Sequence, residues 1–93
     1  MVTIGMTSYP TESAKEMGNR FKDLPTLPPY ITRKGPYLGS ELGVGINSLS
    51  IFEYDPSKMA ETYEFLGNYY AHFIGVPGFI LFVHGLRLWR PLR

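Results

Sequence analysis

The sequence contains no cysteine. That excludes a disulfide framework, a thiolate metal site and a cysteine nucleophile, so noncovalent packing alone must hold the chain together. Only two histidines are present, His72 and His84, and no His, Asp or Glu cluster stands at ligand spacing, which argues against a metal centre within one subunit. An excess of charge is lacking too. Nine basic residues against eight acidic ones give a net charge of +1, too little to attract nucleic acid. The local exception, Arg87, Arg90 and Arg93, reads as a solvated tail. There is no long hydrophobic run. The greasiest stretch, Phe73 to Val83, has about half the length of a membrane-spanning helix and is broken by Gly75, Pro77 and Gly78. Met1 to Tyr9 lacks the basic start and apolar core of a signal peptide, so a cytoplasmic protein without a membrane partner is expected.

What remains is a chain of 93 residues, 15% of them aromatic, with seven tyrosines. That length makes one domain spanning residues 1–93, and a domain of this size buries only roughly 60 to 70% of the surface its unfolded chain exposes. Val2, Ile4 and Met6 alternate with Thr3, Gly5, Thr7 and Tyr9, which predicts a strand. Tyr9-Pro10-Thr11-Glu12-Ser13 then offers a proline, a capping hydroxyl and an early acid for a helix start. Ala14, Met17, Phe21 and Leu24 follow at helical spacing; Gly18 would let this helix approach a sheet closely, and Pro25 ends it. Tyr30 to Tyr54 reads as a long irregular hairpin. Pro36 argues for an edge or bulge, Gly39 to Gly45 for a loop, and a phase change in Val44 to Tyr54 for a bulge at Asn47-Ser48. Asp55-Pro56 opens a second helix. Its core stripe is Met59, Tyr63, Leu66, Tyr70 and Phe73, with Phe65, Tyr69 and His72 on a flank beside it.

The last strand-like run, Phe79 to Trp89, is apolar on both faces. Phe79, Leu81 and Val83 have one parity; Ile80, Phe82, Leu86 and Leu88 have the other. A strand of that kind needs cover on two sides. The order strand, helix, strand, strand, helix, strand is the ferredoxin-like α+β arrangement: a four-stranded antiparallel sheet with both helices on one face. The other face is bare, and an apolar patch of that extent calls for a partner. A second copy meeting it sheet to sheet is the expected partner, with a higher assembly through the Phe65, Tyr69, His72 flank.

This layout resembles the dimeric α+β barrel superfamily, whose ferredoxin-like subunits pair through their sheets. The resemblance covers nearly the whole chain. It rests on the element order, the Tyr9-Pro10 helix entry and Phe73-Ile74-Gly75-Val76-Pro77-Gly78-Phe79 leading into the last strand. The superfamily includes cofactor-independent monooxygenases of antibiotic biosynthesis, haem-degrading enzymes and muconolactone isomerase-like proteins, so the fold does not choose the chemistry. The monooxygenases use Asn, Arg and Trp to hold an aromatic substrate and a peroxide-like intermediate. Asn47, Arg33 and Trp89 are present here, but without a local pattern that aligns, and no role is carried over to them.

The residues themselves point to a homodimeric module that binds or transforms a small apolar or aromatic molecule, with no cofactor, in a pocket between sheet and helices. In an enzyme of this kind His84 or Tyr9 would move a proton, and Asn47 or Arg33 would polarise an oxygen. Each has a plainer role: His84 as a hydrogen-bonded buried or interface histidine, Asn47 as a group satisfying a disturbed ladder. Tyr9, Tyr37, Tyr63 and Tyr70 are candidates to line the pocket, although core packing explains most tyrosines. The alternative function is a non-enzymatic structural or regulatory module acting through its dimer surface.

Overall fold

The computed structural model describes residues 1–41 and 45–86. Val44, the end of the expected last strand from Arg87 to Trp89, and the terminal arginines lie outside them. Strand β1, Val2–Tyr9, leads into a 3-10 turn, Thr11–Ser13, and helix α1, Ala14–Phe21. Strands β2, Thr32–Glu41, and β3, Gly45–Glu53, form the hairpin. A second 3-10 turn, Pro56–Lys58, opens helix α2, Met59–Ala71, and β4, Ile80–Leu86, closes the sheet. The sheet is antiparallel throughout, in the order β2-β3-β1-β4, which is the ferredoxin-like arrangement. Among the described residues no helix is long and apolar enough to cross a membrane.

Helix α2 starts as the sequence predicts: the Asp55 carboxylate accepts from the Ser57 backbone N–H at 2.9 Å, and Pro56 takes the first turn. Helix α1 starts differently. It has no side-chain cap, because the Ser13 hydroxyl donates instead to the Pro77 carbonyl, at 2.6 Å, and ties the helix start to the turn before β4. It also ends at Phe21, a turn short of Leu24. Arg20 links the two helices by donating to the carbonyls of His72 and Ile74 at the end of α2.

The bulge lies in β2 and not at Asn47-Ser48. The ladder between β1 and β3 runs without a break from Val2↔Glu53 to Tyr9↔Ile46. That between β2 and β3 jumps from Lys34↔Ile51 to Tyr37↔Leu49. Gly35 and Pro36 occupy the extra space, with Gly35 at φ 99°, a backbone angle that side chains other than glycine rarely adopt.

The alternation that suggested a bulge in β3 is a true change in what each face carries. Toward the helices β1 presents Thr3, Gly5 and Thr7, and β3 presents Ser48, Ser50 and Phe52. Away from the helices the two strands present Val2, Ile4, Met6, Leu49 and Ile51. The covered face is therefore small and hydroxylated at its centre, while the bare face is aliphatic at its centre and polar toward its ends, at Ser8, Asn47 and Glu53. The main core sits where α2 meets the sheet, around Phe52, Leu66, Tyr69, Tyr70 and Phe73. Phe52 touches Tyr69 and Tyr70 edge-on, at centroid distances of 6.1 and 6.3 Å. Tyr69 thus belongs to this core and not to the outer flank, where Phe65 and His72 remain; Met59 and Tyr63 are largely exposed.

Candidate functional site

Small residues on the covered face leave the helices standing off the sheet, and a cavity of about 420 Å³ opens between them. Its floor is Thr7, Ser48 and Ser50, from two adjacent strands in register. The Thr7 and Ser48 hydroxyls hydrogen-bond each other across the ladder. The walls are hydrocarbon: Ala14, Met17 and Phe21 from α1, Leu38 from β2 beyond the bulge, Ile46 from β3, and Phe73 from the turn after α2. Tyr9, Tyr69 and Tyr70 supply the remaining polar atoms.

Gly18 lines this cavity, and a Cβ built on it would meet no atom within 4 Å. It does not serve a close approach to the sheet, as its place in the sequence suggested; it leaves room. Gly5 does the opposite. A Cβ there would lie 2.0 Å from the Tyr70 hydroxyl, so the bare backbone of β1 is what lets that ring lie against the sheet.

The electrostatics of the cavity are neutral. Burial pushes the Tyr70 phenol well above its ordinary range, the neighbouring Tyr69 adds to the rise, and Ser50 and Arg33 oppose it. Burial raises Tyr9 as well. Arg33 is not in the lining; its guanidinium donates to the Tyr69 hydroxyl at 3.0 Å. Among the described residues the only ionisable side chains in the lining are these three tyrosines.

The sheet divides the four residues singled out from the sequence. Tyr9 lines the cavity, and Arg33 lies on the same face, reaching it through Tyr69. His84 and Asn47 are on the bare face: His84 pairs with Ile4 and stacks on Phe82 at 5.8 Å between ring centroids, and Asn47 pairs with Ser8. Within one subunit the two pairs do not meet. Of the four tyrosines proposed as lining, Tyr9 and Tyr70 are in the cavity, Tyr63 is beside β4, and Tyr37 is exposed on the bare face. Thr7, Ser48, Ser50 and Tyr69 were missed. The signal for the first three was a run of hydroxyl residues at one parity on two strands whose other parity is aliphatic.

A second hollow of about 600 Å³ lies between α2 and β4, lined by Leu66, Gly67, Ala71, Leu81 and Val83 among others. Leu81 and Val83 are on the helix side of β4, yet they remain 40% and 43% exposed. On the other side Ile80 and Phe82 are more exposed still. The strand is thus incompletely covered on both faces.

The fold and the cavity define a small ferredoxin-like α+β protein with an apolar, hydroxyl-floored hollow. No family model, curated protein or solved structure matches the chain.

Proposed function

We propose that the protein binds a small, neutral, largely apolar molecule, aromatic rings included, in the cavity between sheet and helices, and that it does so as a homodimer of the dimeric α+β barrel type. The observation that carries the binding reading is the covered face of β1 and β3. Branched aliphatics there would fill the core, and instead Thr7, Ser48 and Ser50 leave space and hydrogen-bonding groups beneath hydrocarbon walls. A charged ligand would find no countercharge in that lining, so the complementary molecule is neutral and carries an oxygen or nitrogen for the floor. Binding is favoured over catalysis because burial holds the proton on the Tyr9 and Tyr70 phenols, whereas His84 and Asn47 lie across the sheet.

The test is titration with N-phenyl-1-naphthylamine, a neutral probe that fluoresces in apolar surroundings. Saturable binding is expected, lost in Gly18→Leu, whose side chain enters the cavity while the helix gains propensity. A folded wild-type protein with no saturable signal would leave the reading without support. Turnover of quinols, anthrones or lactones, with or without oxygen, that is abolished by His84→Ala or Asn47→Ala would instead favour monooxygenase- or isomerase-like chemistry.

The bare face favours a second role through association. Met6, Ile80 and Phe82, each largely exposed, with Ile4, Leu49 and Ile51 make an apolar surface across three strands. Two such faces stacked about 10 Å apart form a self-complementary contact. If the cavity proved empty of function, a structural or regulatory module acting through that contact would remain.

A further inference from the structure

The two hollows on the helix side of the sheet share one wall. Among the described residues Tyr70 is the only one that lines both. Its ring reaches the sheet because Gly5 lies beneath it, with no side chain to hold the ring off. Above the hollows the helices carry matching openings: Gly18 over the first and Gly67 over the second, each with no atom within 4 Å of a built Cβ. A mid-helix glycine is disfavoured unless something requires it, and neither position brings backbones together. Each glycine lines its hollow at an exposed helix position and adds no side chain to narrow it.

We infer that Tyr70 is the residue that sets ligand size: its ring, seated on Gly5, is a partition that confines a ligand to the hydroxyl-floored cavity and closes off the hydrocarbon hollow beside β4. The inference rests on the binding reading above. The two hollows differ in chemistry, which gives the partition a consequence. The first offers hydroxyls to a polar head. The second is lined by Leu66, Ala71, Ile74, Phe79, Leu81 and Val83, and among the described residues its hydroxyls come only from Tyr63 and Tyr70. With the partition in place the protein selects compact molecules bearing one polar group; without it the same head could extend a hydrocarbon tail across β1.

Displacement of N-phenyl-1-naphthylamine by a series of straight-chain 1-alkanols tests this. In the wild-type protein affinity is expected to rise roughly fourfold per methylene and then level off at a definite chain length. Tyr70→Leu moves that limit upward by several methylenes, and adding Gly67→Leu to it restores the original limit by filling the second hollow. Gly67→Leu alone and Tyr70→Phe, which keeps the ring, leave the limit where it was. An unchanged limit in a cooperatively folded Tyr70→Leu protein would overturn the inference. If Tyr70→Leu fails to fold, Gly67→Leu in the wild-type background decides: a shortened limit shows the hollows already joined and overturns the partition, and an unmoved one supports it. Absence of probe binding by the wild-type protein would defeat the binding reading itself, a result distinct from an unmoved limit.

Discussion

Gly5 and Gly18 answer one added methyl group in opposite ways. At Gly5 the methyl meets the Tyr70 hydroxyl, in a core where that ring is packed among Phe52, Tyr69 and Phe73. Gly5→Ala is expected to cost about 1–3 kcal/mol in urea unfolding, the usual penalty for overfilling a packed site. At Gly18 the methyl meets nothing, and Gly18→Ala is expected to gain about 0.5–1 kcal/mol from helix propensity. Tyr70 itself makes a prediction at high pH. Its phenol holds its proton in the folded protein to higher pH than in the unfolded chain, so above about pH 10 the unfolded state loses a proton that the folded state keeps. Stability then falls as pH rises. Urea melts between about pH 9 and 11 should show a shallower decline for Tyr70→Phe than for the wild type, with the raised phenols of Tyr9 and Tyr54 supplying what remains.

Among the elements, α2 carries its start signal in the chain itself. The backbone N–H of Ser57 on the Asp55 carboxylate holds that carboxyl below its ordinary range, with the nearby N-terminus and Lys58 adding to the effect. A lowered folded pKa gives stability that is present above about pH 4 and lost as pH falls through the folded value. Asp55→Ala should therefore flatten the acid limb of the stability profile, read by thermal melts over that range. The element order, the span of β1 and this cap were legible in sequence because each is a local signal. The edge position and bulge of β2 were legible at Pro36, but the length of the strand beyond the bulge and the missing cap of α1 were not. Gly35-Pro36 marked a break but not that the strand continues beyond it to Glu41. A capping hydroxyl was expected within Tyr9 to Ser13; Ser13 holds the cap position, but its hydroxyl is spent on Pro77, distant in the chain and adjacent in the fold. The site was half legible for the same reason. Tyr9 is fixed to its face by strand parity, but which parity the helices would cover depended on whether greasy or hydroxylated side chains won the inside.

At the scale of the whole molecule the helices cover the polar centre of the sheet and leave the aliphatic face open. A lone subunit keeps Met6, Ile80 and Phe82 in water; the proposed second copy would remove them from it and would bury Ile4, Leu49 and Ile51 more deeply. His84 and Asn47 lie on that face, so in the proposed dimer they belong to the contact and not to the cavity. His84→Ala should accordingly weaken association, seen by dilution, while leaving probe binding near its wild-type affinity. Sedimentation velocity at micromolar concentration tests the inverted sheet most directly. The wild-type protein should sediment as a dimer, and Phe82→Glu, which places a charge among Met6, Ile80 and His84, should sediment as a folded monomer. A stable, soluble wild-type monomer at that concentration would contradict the account.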